Sequence, residues 1–371
     1  MDRAVLAHVP RPRLQTVRNL TPLVHRRVFK MGPGRRYFDV VVVKGAFRLE
    51  PGLLVLADEP STISLADEPW NPEEAGRSSV RIAADAVLRK PATDLFVTGS
   101  ARAPGGKPLS SWDTAVVVSD TSGMILRQHA RVTGPRTWQH GAFGWSLTAP
   151  AATTEVPIRY ELAYGGVHRE NPEGPPGVPE RWSVHKANPS GLGHLEASSL
   201  DVRRTYPAPQ WESLDDPVSA PGRAAVLAGY GPVARNWRSR HRYAGTYDHA
   251  WRARTREEAE RGLPPDYPAD FDPRFFQSAH PSLVAAGHLC GGEQLGLVGL
   301  LGDETAFVTR LPSIRVHAET YDGVGPWQHE DLPLDTVHVD LEARLVHLAW
   351  RLTLDPDRAV GGVVLTHSEA S

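Results

Sequence analysis

The sequence predicts a mainly β protein, an antiparallel sandwich or barrel-like scaffold with long ordered loops and a few short helices. Three observations carry this. Apolar residues alternate with polar ones in short runs, turn dipeptides separate the runs, and 33 prolines and 33 glycines among 371 residues favour turns over long helices. A chain of this length exceeds the usual single core, so it is read as one large unit over 1–371 with three possible lobes. These are an N-terminal β lobe (1–148), a loop-rich aromatic segment (149–286) and C-terminal strands (287–371) packing on the first lobe.

From Tyr37 to Glu50, Val41, Val43, Gly45, Phe47 and Leu49 share one parity, which predicts a strand with one buried face. Pro51-Gly52 then turns the chain into Leu53–Leu56 as the second arm of a hairpin. Asp94–Ala101 reads as a strand ended by Pro104-Gly105-Gly106, and Asp120-Thr121-Ser122-Gly123 joins two further strands, 115–118 and 124–132. Between Ala149 and Asp248 the periodicity fades. Turn dipeptides at Asn171-Pro172, Asn188-Pro189 and Pro221-Gly222 alternate there with Trp182, Trp211, Tyr230, Trp237 and Tyr243, rings that need burial and so predict ordered loops.

Thr255-Arg256-Glu257-Glu258 has the form of a capping box, and Gly262 suits the left-handed stop, which predicts a short helix over 256–261. A second short helix is expected from Pro281 to Ala285. Near the C-terminus Val337, Val339 and Leu341 share odd parity, whereas Val346, Leu348, Trp350, Leu352 and Leu354 are even. This reads as a bulge near Arg344; the alternative is two strands with a very tight turn, disfavoured by the absence of Gly or Pro.

The formal charge of −2 argues against the broad positive field of a nucleic-acid binder. A single cysteine, Cys290, excludes an intramolecular disulfide and a Cys-based zinc cluster; it is read as a small buried residue at the start of a strand. No window approaches the roughly 18 apolar residues of a membrane span, and no leader pattern opens the chain, so a soluble cytoplasmic protein is expected.

Chemistry is sparse. No histidine pair has the spacing that places two imidazoles on one helix face, and His241, His249, His280 and His288 lack organised carboxylates, so no metal is expected. Neither a Gly-x-Ser-x-Gly elbow nor a phosphate-cradling loop is present, and no cofactor is expected. Asp270 and Asp272, with Glu161 or Glu293, offer an acid and base for a glycosidase or sugar-binding cleft, against which Asp272 sits where it caps the turn begun by Pro273. The stretch from Arg235 to Phe276 is too aromatic for disorder and rich in the Trp, Tyr and Arg that dominate recognition surfaces.

Six segments in order, KPATDLFVTGSARAPGGKP (90–108), RYELAYGG (159–166), NPSGLG (188–193), GYGPVARNW (229–237), AGTYDHAW (244–251) and DFDPRFFQSAHP (270–281), together resemble the DUF2169 family. The resemblance implies a non-enzymatic adaptor or chaperone of the bacterial type VI secretion system, which binds an effector toxin and loads it onto the VgrG spike, with neither nucleic acid nor membrane as partner. By the same resemblance Glu161, Tyr164, Gly165, Gly166, Asn188, Pro189, Gly193, Trp237, Tyr247, Asp248, Trp251, Asp270, Phe271, Asp272, Arg274, Phe275 and Phe276 bind the partner or shape the loops. Two insertions, GVHRENPEGPPGVPERWSVHKA (166–187) and TREEAERGLPPDYPA (255–269), lie beside the motifs and are expected to tune which effector is accepted.

Overall fold

The computed structural model describes residues 14–170, 181–302, 306–358 and 360–369. Among them, strands dominate and only two α-helices occur, Arg238–His241 and His249–Glu260. The leader reading and the Asn171-Pro172 turn lie outside the described residues. Three sheets of four strands or more carry the fold, each an open strand order and none a closed barrel, so the scaffold is sandwich-like.

The largest sheet runs Val24–Met31, Tyr37–Arg48, Leu345–Leu354, Leu334–Asp340, Asp94–Thr98, and so places N- and C-terminal strands side by side. Its pairs are antiparallel except the last, where Asp94–Thr98 lies parallel to Leu334–Asp340. A second sheet joins Ser111–Asp120 and Gly123–Thr133 to Gln294–Val298 and Ala306–Arg310. The third carries Ile314–Tyr321 between Gly362–Glu369 and Gln328–Leu332. Val41, Val43 and Phe47 of the first, Val116 and Val118 of the second, and Val316 and Leu365 of the third share one continuous apolar core.

Tyr37–Arg48 departs from the one-faced strand that its alternation predicts, because residues 39–47 are all buried. Its odd positions face the main core, while Val40 and Val42 meet a second cluster of Ala84, Val87, Leu88 and Phe276. The polar parity is satisfied in place: Lys44 Nζ pairs with Asp85 at 2.8 Å and donates to the Thr62 carbonyl. A buried ion pair with both partners bonded reads in sequence as a solvent-facing lysine.

The Asp120 turn forms as expected, with Asp120 Oδ1 accepting from the Ser122 and Gly123 amides. Leu53–Leu56 returns as the short strand Val55–Leu56 against Phe47 and Arg48. The parity change near Arg344 marks the disfavoured alternative, two strands joined by a tight turn. Arg344 takes the left-handed conformation (φ 55°) that a glycine would normally supply, and Asp340 Oδ1 holds the turn by accepting from the Glu342 and Ala343 amides.

The predicted capping box is also replaced. The helix begins at His249, seven residues before the predicted start, and its cap is Asp248, which accepts from the Trp251 amide at 2.7 Å. Thr255 falls mid-helix, whereas Gly262 (φ 73°) ends it as expected. The second short helix is a single 3-10 turn, Pro281–Leu283.

Candidate functional site

The sequence motifs are joined by buried contacts, and the inner half of this assembly is a weld. Asn188 is fully buried; its Nδ2 donates to the carbonyls of Tyr160 and Tyr164, and its own carbonyl accepts from the Gly166 amide at 2.7 Å. This joins RYELAYGG to NPSGLG through a short parallel pairing of Tyr164-Gly165 with Leu192-Gly193. Gly165 has φ 152°, and a Cβ there would overlap the Asn188 carbonyl oxygen. Only glycine permits that approach. Glu161 accepts from the Ser79 amide and hydroxyl, so it clamps a neighbouring loop instead of facing a cleft.

Trp237, wholly buried, packs edge-on against Tyr160 at 5.4 Å, and Tyr160 donates to the Gly231 carbonyl. Arg240 is the one buried residue of its four-residue helix: Nε donates to the Phe275 carbonyl and Nη1 to that of Val233. Burial pushes its pKa down to about 10, which still leaves a cation at neutral pH. Asp94, with no exposed surface, receives Lys90 Nζ, Gln277 Nε2 and the Ser278 amide. It therefore ties the first family motif to the last.

Phe271, Phe275 and Phe276 form a ring cluster with centroids 5.5–5.8 Å apart, packed against Val40 and Val42 through the second core. Pro189 and Gly193, both half-buried, complete the inner loops.

The outer half is exposed. Two guanidinium groups lie over the Tyr243 ring, that of Arg242 at 4.7 Å and that of Arg274 at 4.4 Å from its centroid. Such stacking orders the cations without neutralising them. Arg274 also pairs with Asp272 at 2.5 Å, whereas no carboxylate among the described residues pairs with Arg242. Beside this stack opens a cleft of about 220 Å³, lined by Ser239, Arg240, Arg242, Tyr243, Arg274, Gln277, Ala279, Pro281 and Val284, none of them acidic. The helix His249–Glu260 buries no residue; it is held through Trp251 Nε1 donating to the Asp266 carbonyl and through the ion pair of Glu258 with Arg35. Tyr247 stands 40% exposed against Trp251.

The carboxylate pair does local work. Asp270 accepts from the Thr246 amide and hydroxyl, and Asp272 from the Arg274 amide. The Thr246 bonds hold the Asp270 carboxyl below its ordinary range, and the Arg274 side chain does the same for Asp272. Glu293 is buried and accepts from the Cys290 amide. Cys290 itself is exposed, against the expectation of burial, because it sits in the turn before Gln294–Val298 and not in the strand. Trp182 departs from expectation too: its ring is 62% exposed at a two-stranded ribbon.

Sequence reasoning missed a cluster on the third sheet. His317, His329 and Asp331 bring one ring nitrogen or carboxylate oxygen each within 4.8 Å of one another. A search for helical histidine spacing cannot find it. The signal is His-x-Glu at 317–319 and His-x-Asp at 329–331, the period of two that puts alternate strand residues on one face.

Among the described residues, no helix is long and apolar enough to cross a membrane. No curated protein and no solved structure matches the chain. A family model does match, over residues 34–351, which take in all six motifs and the strands that frame them: the chain belongs to DUF2169, a family described as an uncharacterized protein conserved in bacteria.

Proposed function

We propose that this protein is a non-enzymatic cytoplasmic adaptor, or chaperone, that binds a type VI secretion effector and helps load it onto the VgrG spike. The observation that carries the reading is the Arg242–Tyr243–Arg274 stack beside an acid-free cleft, exposed on a segment whose other side is welded to the main sheet. Rigid aromatic and arginine groups give large contact area at small entropic cost, which suits the grip of another polypeptide. The secretion context comes from the likeness of the six ordered motifs to an adaptor family. The charge of Arg242, which no carboxylate among the described residues pairs with, favours an acidic segment of the partner.

The competing glycosidase reading needs one carboxyl group that keeps its proton near neutral pH. Asp270 and Asp272 are both held below the ordinary range, Asp272 is bound to Arg274, and neither lines the cleft, so these observations favour the adaptor.

Deleting the gene tests the proposal. Secretion of a toxin encoded beside it is expected to fail while the toxin is still synthesised, and the toxin is expected to co-purify with the wild-type protein. Unaltered secretion in the deletion strain overturns the reading.

A further inference from the structure

We propose that His317, His329 and Asp331 form a binding site for a divalent transition cation of the zinc type, independent of the adaptor cleft. The site is built by strand register. His317 lies directly opposite Asp331 and Glu319 directly opposite His329 across the antiparallel pair Ile314–Tyr321 and Gln328–Leu332. All four side chains therefore project from one face.

Three atoms converge. Asp331 Oδ1 lies 2.6 Å from His317 Nδ1 and 3.0 Å from His329 Nε2. A tetrahedral cation with bonds of about 2.0–2.1 Å holds its ligands roughly 3.3 Å apart. The two contacts to Asp331 need open only slightly to admit one, and the two ring nitrogens already lie within 4.8 Å of each other.

The remaining ring nitrogens are already engaged, each by a group that fixes the ring's orientation. His329 Nδ1 faces the Glu319 carboxylate at 2.7 Å, and His317 Nε2 faces Ser368 Oγ at 2.7 Å from the neighbouring strand. An imidazole that gives one N–H to an outer carboxylate or hydroxyl presents its other nitrogen as a lone pair, the arrangement that orients metal-bound histidines. Both rings here have this support, and from opposite sides of the cluster.

The ligand set is two nitrogens and one oxygen, which suits zinc and its late first-row neighbours; magnesium and calcium favour oxygen shells. His329 and Asp331 are more than half exposed, so a cation has an open approach, and water is free to complete the coordination. The inference replaces the sequence-level expectation of no metal. It does not use the adaptor reading, and either stands if the other fails.

Titration calorimetry on the untagged full-length chain with zinc chloride, alongside magnesium chloride, tests it. The expected result is one saturable zinc site, an upward shift in melting temperature on zinc addition, and no comparable magnesium binding. His329→Ala is expected to weaken zinc binding at least 100-fold and to remove the melting shift, while Glu319→Gln costs about 10- to 100-fold through the outer hydrogen bond. Absence of a saturable zinc site overturns the proposal, as does equal affinity for magnesium. So does a His329→Ala variant that melts like the wild type without metal and keeps both its zinc affinity and its zinc-dependent shift.

Discussion

The inner and outer halves of the segment 229–286 carry the same kinds of residue and have opposite physical fates. Trp237, Arg240 and Phe276 are buried, and each spends its bonding or packing capacity inside the protein. Arg242 and Tyr243, a few positions away, spend theirs at the surface. The contrast shows that a family motif is not one functional unit. Its buried members position the chain, and only the exposed members remain available to meet a partner.

The largest expected effect is on the weld. Asp94→Ala strips the buried Lys90 of its counter-ion and leaves Gln277 and Ser278 without their acceptor; breaking a buried pair costs about 3–5 kcal/mol, measurable by urea unfolding. A loss below about 1 kcal/mol would mean that the two motifs are joined by something else.

Acidification comes next. Burial lowers the pKa values of His280 and His347 to about 4 and that of His338 well below its ordinary value. Below the unfolded value of about 6.5 the unfolded chain takes up protons that the folded chain refuses, so stability falls as pH drops from about 6.5 towards 4. Each group contributes up to a few kcal/mol. Melting temperatures across that window check this, and His347→Gln is expected to flatten part of the slope.

Asp248→Ala removes the true helix cap and costs about 1 kcal/mol, or less if the helix frays without disturbing the core. Helical circular dichroism and the unfolding midpoint report both. The corresponding change at Thr255, the cap that the sequence suggested, is expected to leave helix initiation intact. Smallest of all, Arg242→Ala is expected to cost about 0.5–1 kcal/mol, the worth of an exposed cation–π stack such as the one it makes on Tyr243.

Much of the scaffold was legible in the sequence because turn chemistry and period-two alternation act locally. The Asp120 hairpin and the Gly262 stop are such cases. Misreadings arose where a distant partner decided the outcome. Lys44 looks solvent-facing until Asp85 arrives, 41 residues on. Asp248 and Thr255 both have cap chemistry, and nothing local selects between them. A non-glycine residue in a left-handed turn, as at Arg344, leaves no glycine to read.

At the candidate site, composition located the segment but not its split into buried and exposed halves. Glu161 and Asn188 look like surface polar residues of a loop, yet they are clamps whose acceptor and donor groups are all turned inward. The His-x-Glu and His-x-Asp pairs stand in the sequence, but that they meet does not, because two strands supply the cluster and their register is a tertiary fact.

The most direct measurement is the affinity of a cognate effector for the purified double variant Arg242→Glu, Tyr243→Ala, read beside its melting temperature. The account predicts near-wild-type melting with effector binding lost or weakened at least tenfold and secretion reduced in the cell. A well-folded variant that binds and delivers the effector as the wild type does would contradict it.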